Sequence, residues 1–203
     1  MNCLESRRRL LPPVFAALVA LTLMVLPLAV RAQAAADCLM VFGHGRNYEP
    51  AMAAQNAQWD QVNLRFNRQV VEVLNQAARP AHGMVLQVAA VDLARNLGML
   101  LNEAGQRGCS QVLETTVFAD VESATFKARL RLYPVLGLKG PRAADAGLSV
   151  GQAVYTNERG FELSLRSLER LRPELLARTM TEEFLAAQSQ ATPLQGPAAS
   201  DQP

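Results

Sequence analysis

Few side chains in this sequence could do chemistry. Gly43-His44-Gly45-Arg46-Asn47 follows directly on the apolar run Cys38-Leu39-Met40-Val41-Phe42. The carboxyl end of a strand is where an α/β sheet places its ligand loops. There His44 could act as a base and Arg46 could hold an anion, so both are candidate binding residues. The competing reading is a tight turn whose glycines supply positive φ, since no Cys, Ser or acid motif accompanies the histidine. His82, in Arg79-Pro80-Ala81-His82-Gly83, reads as part of an exposed linker. Lys127, Arg129 and Arg131 recur at every second position and form a basic row. The row could meet an acidic partner or phosphate head groups; otherwise it is a solvated strand face partly neutralised by Glu114. Cys38 and Cys109 lie 71 positions apart and, with two isolated histidines, match no zinc pattern. Nucleophile-elbow, P-loop and dinucleotide-binding glycine motifs are absent. No catalytic residue, metal or cofactor is expected.

The elements that must position these residues follow from periodicity. Cys38 to Phe42 reads as a buried strand. Trp59, Val62, Phe66, Val70, Val73, Leu74 and Ala77 recur at steps of three and four, one apolar face of a helix that opens near Pro50 and stops at Arg79-Pro80. Met84 to Ala89 is a second strand. Asp92 caps a second helix with Leu93, Leu97, Leu100, Leu101 and Ala104 inward, ended by Gly105 or Gly108. Ser110 to Ala119 and Ala124 to Val135 form a hairpin around Asp120-Val121-Glu122-Ser123. Setting Ala119 opposite Ala124 places Val117 against Phe126, Leu113 against Leu130, and Glu114 against Arg129. Residues 136 to 148 read as a loop. Val150 to Tyr155 and Phe161 to Leu165 read as another hairpin, turning at Asn157-Glu158-Arg159-Gly160. Leu168, Leu171, Leu175, Leu176, Met180 and Phe184 mark a last helix, bent or restarted at Pro173. The expected fold is α/β or α+β: a two-layer mixed sheet in the order β-α-β-α-β-β-β-β-α, with helices mainly on one face.

The two ends read differently. Arg7-Arg8-Arg9, an uncharged apolar run from Val14 to Val30, and Ala32-Gln33-Ala34 have the order of a cleaved export signal over residues 1–34. Ser6-Arg7-Arg8-Arg9-Leu10-Leu11 also approaches a twin-arginine signal, although the Leu-rich core favours the general secretory route. Residues 35–187 then form a single domain, and 188–203, with Pro193, Pro197 and Pro203, a disordered tail. Cleavage removes Arg7, Arg8, Arg9, Arg31 and Glu5, so 20 basic and 18 acidic side chains become 16 and 17. That balance excludes a strongly basic nucleic-acid binder. No small residue directly precedes Cys38, so no lipid anchor is expected. The protein should be periplasmic, without a stable membrane anchor.

The Leu-rich helix ending Asn102-Glu103-Ala104-Gly105, then Cys109-Ser110-Gln111-Val112-Leu113 and Phe126-Lys127-Ala128-Arg129-Leu130-Arg131-Leu132, resembles periplasmic domains of the TolB amino-terminal, LpoB and CsgG type. The resemblance covers roughly residues 38 to 135. Glu114-Thr115 departs from it, standing where a glycine often follows. It implies a non-catalytic module that docks an envelope protein partner. The other reading is a small periplasmic hydrolase or ligand-binding protein using the His44 loop.

Two cysteines outlast the leader, and in an oxidising compartment an even pair is expected to bond. Each opens a strand. A Cys38–Cys109 bridge therefore predicts strands one and three side by side, with strand two outside them. A mature chain beginning at Ala35, or one or two residues later, is expected by intact-mass analysis of a periplasmic fraction. Full-length protein found only in membranes would refute cleavage.

Overall fold

The computed structural model describes residues 38–137, 147–162, 164 and 172–191. Residues 1–37, with the expected leader, residues 138–146, 163 and 165–171, with Leu168 and Leu171, and residues 192–203 lie outside these. The elements are β1 (Leu39–His44), α1 (Ala53–Gln76), β2 (Ala81–Leu86), α2 (Leu93–Arg107), β3 (Gln111–Asp120), β4 (Thr125–Leu136), β5 (Ser149–Val150), β6 (Tyr155–Glu162) and α3 (Pro173–Ala191). They form one mixed sheet in the order β2-β1-β3-β4, with β5 and β6 both pairing β4. β1 runs parallel to β2 and β3; the other pairings are antiparallel. Strands one and three are neighbours, as the cysteine argument required.

The crossover from β1 to β2 and the crossover from β2 back past β1 to β3 run in opposite directions across the sheet, so right-handed connections carry α1 and α2 to opposite faces. On one face Leu39, Val41, Leu113 and Phe126 pack with Phe66 and Leu74 of α1 and Met180 and Phe184 of α3. On the other, Met40, Val112 and Val135 pack with Leu100, Leu101 and Ala104 of α2. Strand alternation sends odd and even positions to these separate cores. Cys38 and Cys109 are joined at a Cα separation of 4.6 Å, where β1 and β3 begin.

Helix ends follow local chemistry. Asp92 accepts the Arg95 amide at 3.0 Å, and Gly108 closes α2 in the left-handed conformation at φ 69°. α1 starts at Ala53, later than Pro50 suggested, and Pro80 lies just beyond its end. α3 opens on Pro173, a residue suited to a first helical position. It runs to Ala191, past the expected start of the tail at Gln188.

β2 runs from Ala81 to Leu86 rather than from Met84 to Ala89, so His82 lies on a strand and not in a linker. Three further expectations are corrected. The β3–β4 register is shifted by two: Asp120 faces Thr125, Val117 faces Ala128, Leu113 faces Leu132, and Glu114 faces Arg131. Asp120 extends the ladder and accepts the Ser123 amide, while Ala124 turns at φ 49°, so the loop is Val121 to Ala124. A shift of two leaves each side chain on its predicted face. The expected turn at Asn157–Gly160 is instead the middle of β6, which pairs with β4 along its whole length. Third, Leu93 and Leu97 are not inward. They are 78% and 44% exposed, because the first turns of α2 stand at the carboxyl end of β1, where that strand stops.

That early stop is bridged by asparagines. β1 pairs with β3 only through Gly43 and Thr115, whereas β3 continues to Asp120. Asn63 of α1 accepts the Val117 amide at 2.9 Å and donates to its carbonyl at 3.1 Å. Asn47 does the same for Ala119, at 2.7 and 2.8 Å. Both side chains stand in for missing strand backbone. Asn67, one turn beyond Asn63, donates to Thr115 Oγ1 and the Val41 carbonyl. Periodicity missed Asn63 and Asn67 because they are polar, yet they are 2% and 1% exposed. Asn63→Ala should cost about 2 kcal/mol or more, since buried donor and acceptor are both orphaned. Asn56→Ala, which breaks a similar pair of hydrogen bonds with the backbone of exposed Glu49, should cost under about 1 kcal/mol. Denaturant midpoints check both.

Candidate functional site

Where α2 leaves the sheet uncovered, even positions of β1 and β3 meet odd positions of β4. His44 Nε2 lies 2.8 Å from Glu114 Oε1, and Tyr133 donates its hydroxyl to Glu114 Oε2 at 3.0 Å. The other ring nitrogen, Nδ1, faces the Gly45 carbonyl at 3.4 Å. Burial by itself would raise the Glu114 pKa. The His44 hydrogen bond and charge, the Tyr133 hydroxyl and nearby Arg131 outweigh it and hold the carboxyl below its usual range. Burial and the Glu114 charge push the Tyr133 hydroxyl up.

The basic row is tied to acids. Lys127 Nζ lies 2.8 Å from Asp120 and 3.6 Å from Glu158. The Lys127 contact brings the Asp120 carboxyl down to about 2. Arg129 binds Glu158 through Nε at 2.6 Å and Nη2 at 2.5 Å. Arg131 sits beside Glu114 and Tyr133. Arg46 and Arg129 both lie over the Phe118 ring, 4.9 and 5.2 Å from its centroid. The fold thus brings His44 and Arg131 together through Glu114, and Arg46 and Arg129 through Phe118. Lys127 stands with Asp120.

Beside His44 lies a groove of about 500 Å³, lined among others by Phe42, Arg46, Tyr48, Val91, Leu93 and Leu97. It sits at the carboxyl ends of the parallel strands β1 and β2, the usual place for a ligand in an open α/β sheet. Its wall depends on Gly45: a β-carbon there would lie 1.9 Å from Val88 Cγ1. The groove's rim is apolar and bare, with Val91 66% exposed and Tyr48 41%.

Sequence reasoning found no acid for His44 because Glu114 lies 70 positions away. A signal existed in the cysteine pair, but its offset of 71 would set His44 beside Thr115 and turn Glu114 to the other face. The strands pair at an offset of 72, which puts His44 and Glu114 on the same face. The bare Leu93 and Leu97 were hidden by sharing the helical period of the buried leucines.

No known family profile and no curated protein matches the sequence. Among solved structures, the chain is similar to the PelC dodecamer from Paraburkholderia phytofirmans. The two are 13% identical over 74% of this chain and 86% of that one, with a TM-score of 0.35. It is also similar to the C-terminal domain of LpoB from Salmonella enterica, at 11% identity over 63% of this chain and 84% of that one, with a TM-score of 0.25. Both are weak likenesses of fold. Among the described residues, no helix is long and apolar enough to cross a membrane.

A carboxyl whose folded pKa is depressed stabilises the fold above its unfolded pKa, and the contribution is lost as pH falls through the folded value. Glu114→Gln should therefore cost about 1.5–3 kcal/mol at neutral pH. It should also flatten the loss of stability below about pH 4.5. Urea denaturation across pH, wild type against variant, checks both.

Proposed function

We propose that this chain is a non-enzymatic module of the bacterial cell envelope. It works in the periplasm and binds a protein partner through the groove at the carboxyl ends of β1 and β2. The observation that carries this reading is the run of exposed apolar side chains around that groove, Tyr48, Val91, Leu93 and Leu97. Bare apolar surface of this kind, rimmed by polar residues, marks interaction sites. Arg46 at its end meets Phe118 but no carboxylate among the described residues. The partner segment that fits is apolar with a flanking acid. The signal-like order of residues 1–34 and a disulfide that persists in oxidising compartments support export.

The hydrolase reading needs an acid near His44, and Glu114 supplies one. It also needs a ring nitrogen turned toward a nucleophile. Here Nε2 faces Glu114 and Nδ1 faces a backbone carbonyl, and no hydroxyl or thiol of the described residues bonds the ring. This geometry favours the binding reading.

A photocrosslinking residue in place of Leu97 should give a discrete adduct in intact cells, and one in place of exposed Arg68 should not. Leu93→Asp with Leu97→Asp should abolish the adduct formed from Val91, while stability moves by less than about 0.5 kcal/mol per site. Replacing Lys127, Arg129 and Arg131 together by Gln separates the groove from the basic row. Capture kept by that triple variant and lost by the leucine variant is the expected pattern. The reverse would move the docking site to the row.

A further inference from the structure

We propose that Cys38, Cys109 and His82 form a zinc site in the dithiol state of the protein. The site is closed while the two cysteines are bonded and opened by their reduction. It is independent of the partner-binding groove, which lies at the other end of the strands.

The fold creates the cluster. Cys38 precedes β1, Cys109 precedes β3, and His82 on β2 stands opposite Met40 of β1. With the order β2-β1-β3, all three gather at the amino ends of three adjacent parallel strands. One ligand atom from each lies within 4.8 Å of the others. Ligands around a tetrahedral zinc stand roughly 3.5 Å apart, so local movement of side chains closes the site. Two thiolates and one imidazole suit Zn²⁺ rather than Mg²⁺ or Ca²⁺, and leave a fourth position for water or an outside ligand.

Arg107 guards the histidine. Its Nη1 lies 3.4 Å from His82 Nδ1, while its Nε holds Glu103 at 2.5 Å. A guanidinium only donates, so Nδ1 must accept. Metal bound at Nδ1 takes that lone pair. Metal bound at Nε2 leaves the proton on Nδ1. In either case Arg107 has to let go, and Glu103 is already in place to keep it. The chemistry balances simply. A dithiol reductant gives two electrons and two protons to the Cys38–Cys109 bond and leaves as its own disulfide. Zn²⁺ then binds the two thiols as thiolates and releases two protons. Reoxidation by a disulfide reverses both steps and expels the metal.

The test uses the mature chain, reduced with a phosphine, freed of reductant without air, and titrated with Co²⁺ and then Zn²⁺. One metal per chain is expected, with a sulfur-to-cobalt charge-transfer band that the oxidised protein does not show. His82→Ala should weaken binding by roughly tenfold or more, and Arg107→Gln should tighten it. Where reduction unfolds the chain, far-ultraviolet circular dichroism reads the same titration: zinc should restore the fold of the wild type better than that of His82→Ala. The proposal is overturned if reduced wild type shows no saturable binding and no zinc-driven refolding, or if His82→Ala binds as well as wild type. Weaker binding by Arg107→Gln would overturn the guarding role.

Discussion

The structure depends on β1 being shorter than the strand beside it. β1 is central, with β2 and β3 on its two edges and a core on each face. When it ends at His44, the backbone of β3 still has Val117 and Ala119 to satisfy on that side. Buried peptide groups without partners are too costly to leave. Asn63 and Asn47 answer that demand, and in doing so they fix α1 and the loop after β1 against the sheet. The close approaches at Gly43 and Gly45 follow, since a β-carbon at Gly43 would crowd Asn67, Thr115 and Val85, and one at Gly45 would overlap Val88. The His44–Glu114 pair and the apolar groove both lie at this strand end.

How much of this the sequence disclosed depended on how local the signal was. Asp92 and Gly108 cap α2 as their side-chain chemistry dictates, and the cysteine pair gave the strand order. Features set by distant contacts were hidden. Asn157-Glu158-Arg159-Gly160 has the composition of a turn, yet it lies extended because β4 offers an unpaired edge, where Glu158 meets Arg129, and because Arg159 meets Glu183 of α3. The hairpin register could slip by two because both alignments put the same residues on the same face. Only the bonds of Asp120 and the backbone of Ala124 choose between them. The candidate site was half legible: His44, Arg46 and the row Lys127, Arg129 and Arg131 were visible as residue types. Glu114 and Phe118, which tie them together, became visible only with the pairing of β1, β3 and β4.

Those ties change the character of the face. Read as a list, Lys127, Arg129 and Arg131 are a strip of positive charge. In the fold, Asp120, Glu158 and Glu114 stand against them, and Phe118 takes up the flat sides of two guanidiniums. The face is cross-linked by its own charges rather than held ready for a polyanion. On the proposed reading, recognition of an outside molecule falls instead to the leucines and Tyr48 at the groove.

Among the described residues β6 pairs only with β4, so its outer side is a rim of the sheet. Such a rim is a template on which another chain can be laid down, hydrogen bond by hydrogen bond. This one is studded with charge on both faces: Glu158 and Glu162 on one, Arg159 on the other. A newcomer strand would have to desolvate or match each of them. At that margin the protein resists accretion into stacked sheets, while its leucine-lined groove, at the opposite end of the strand order, stays open to a different kind of visitor.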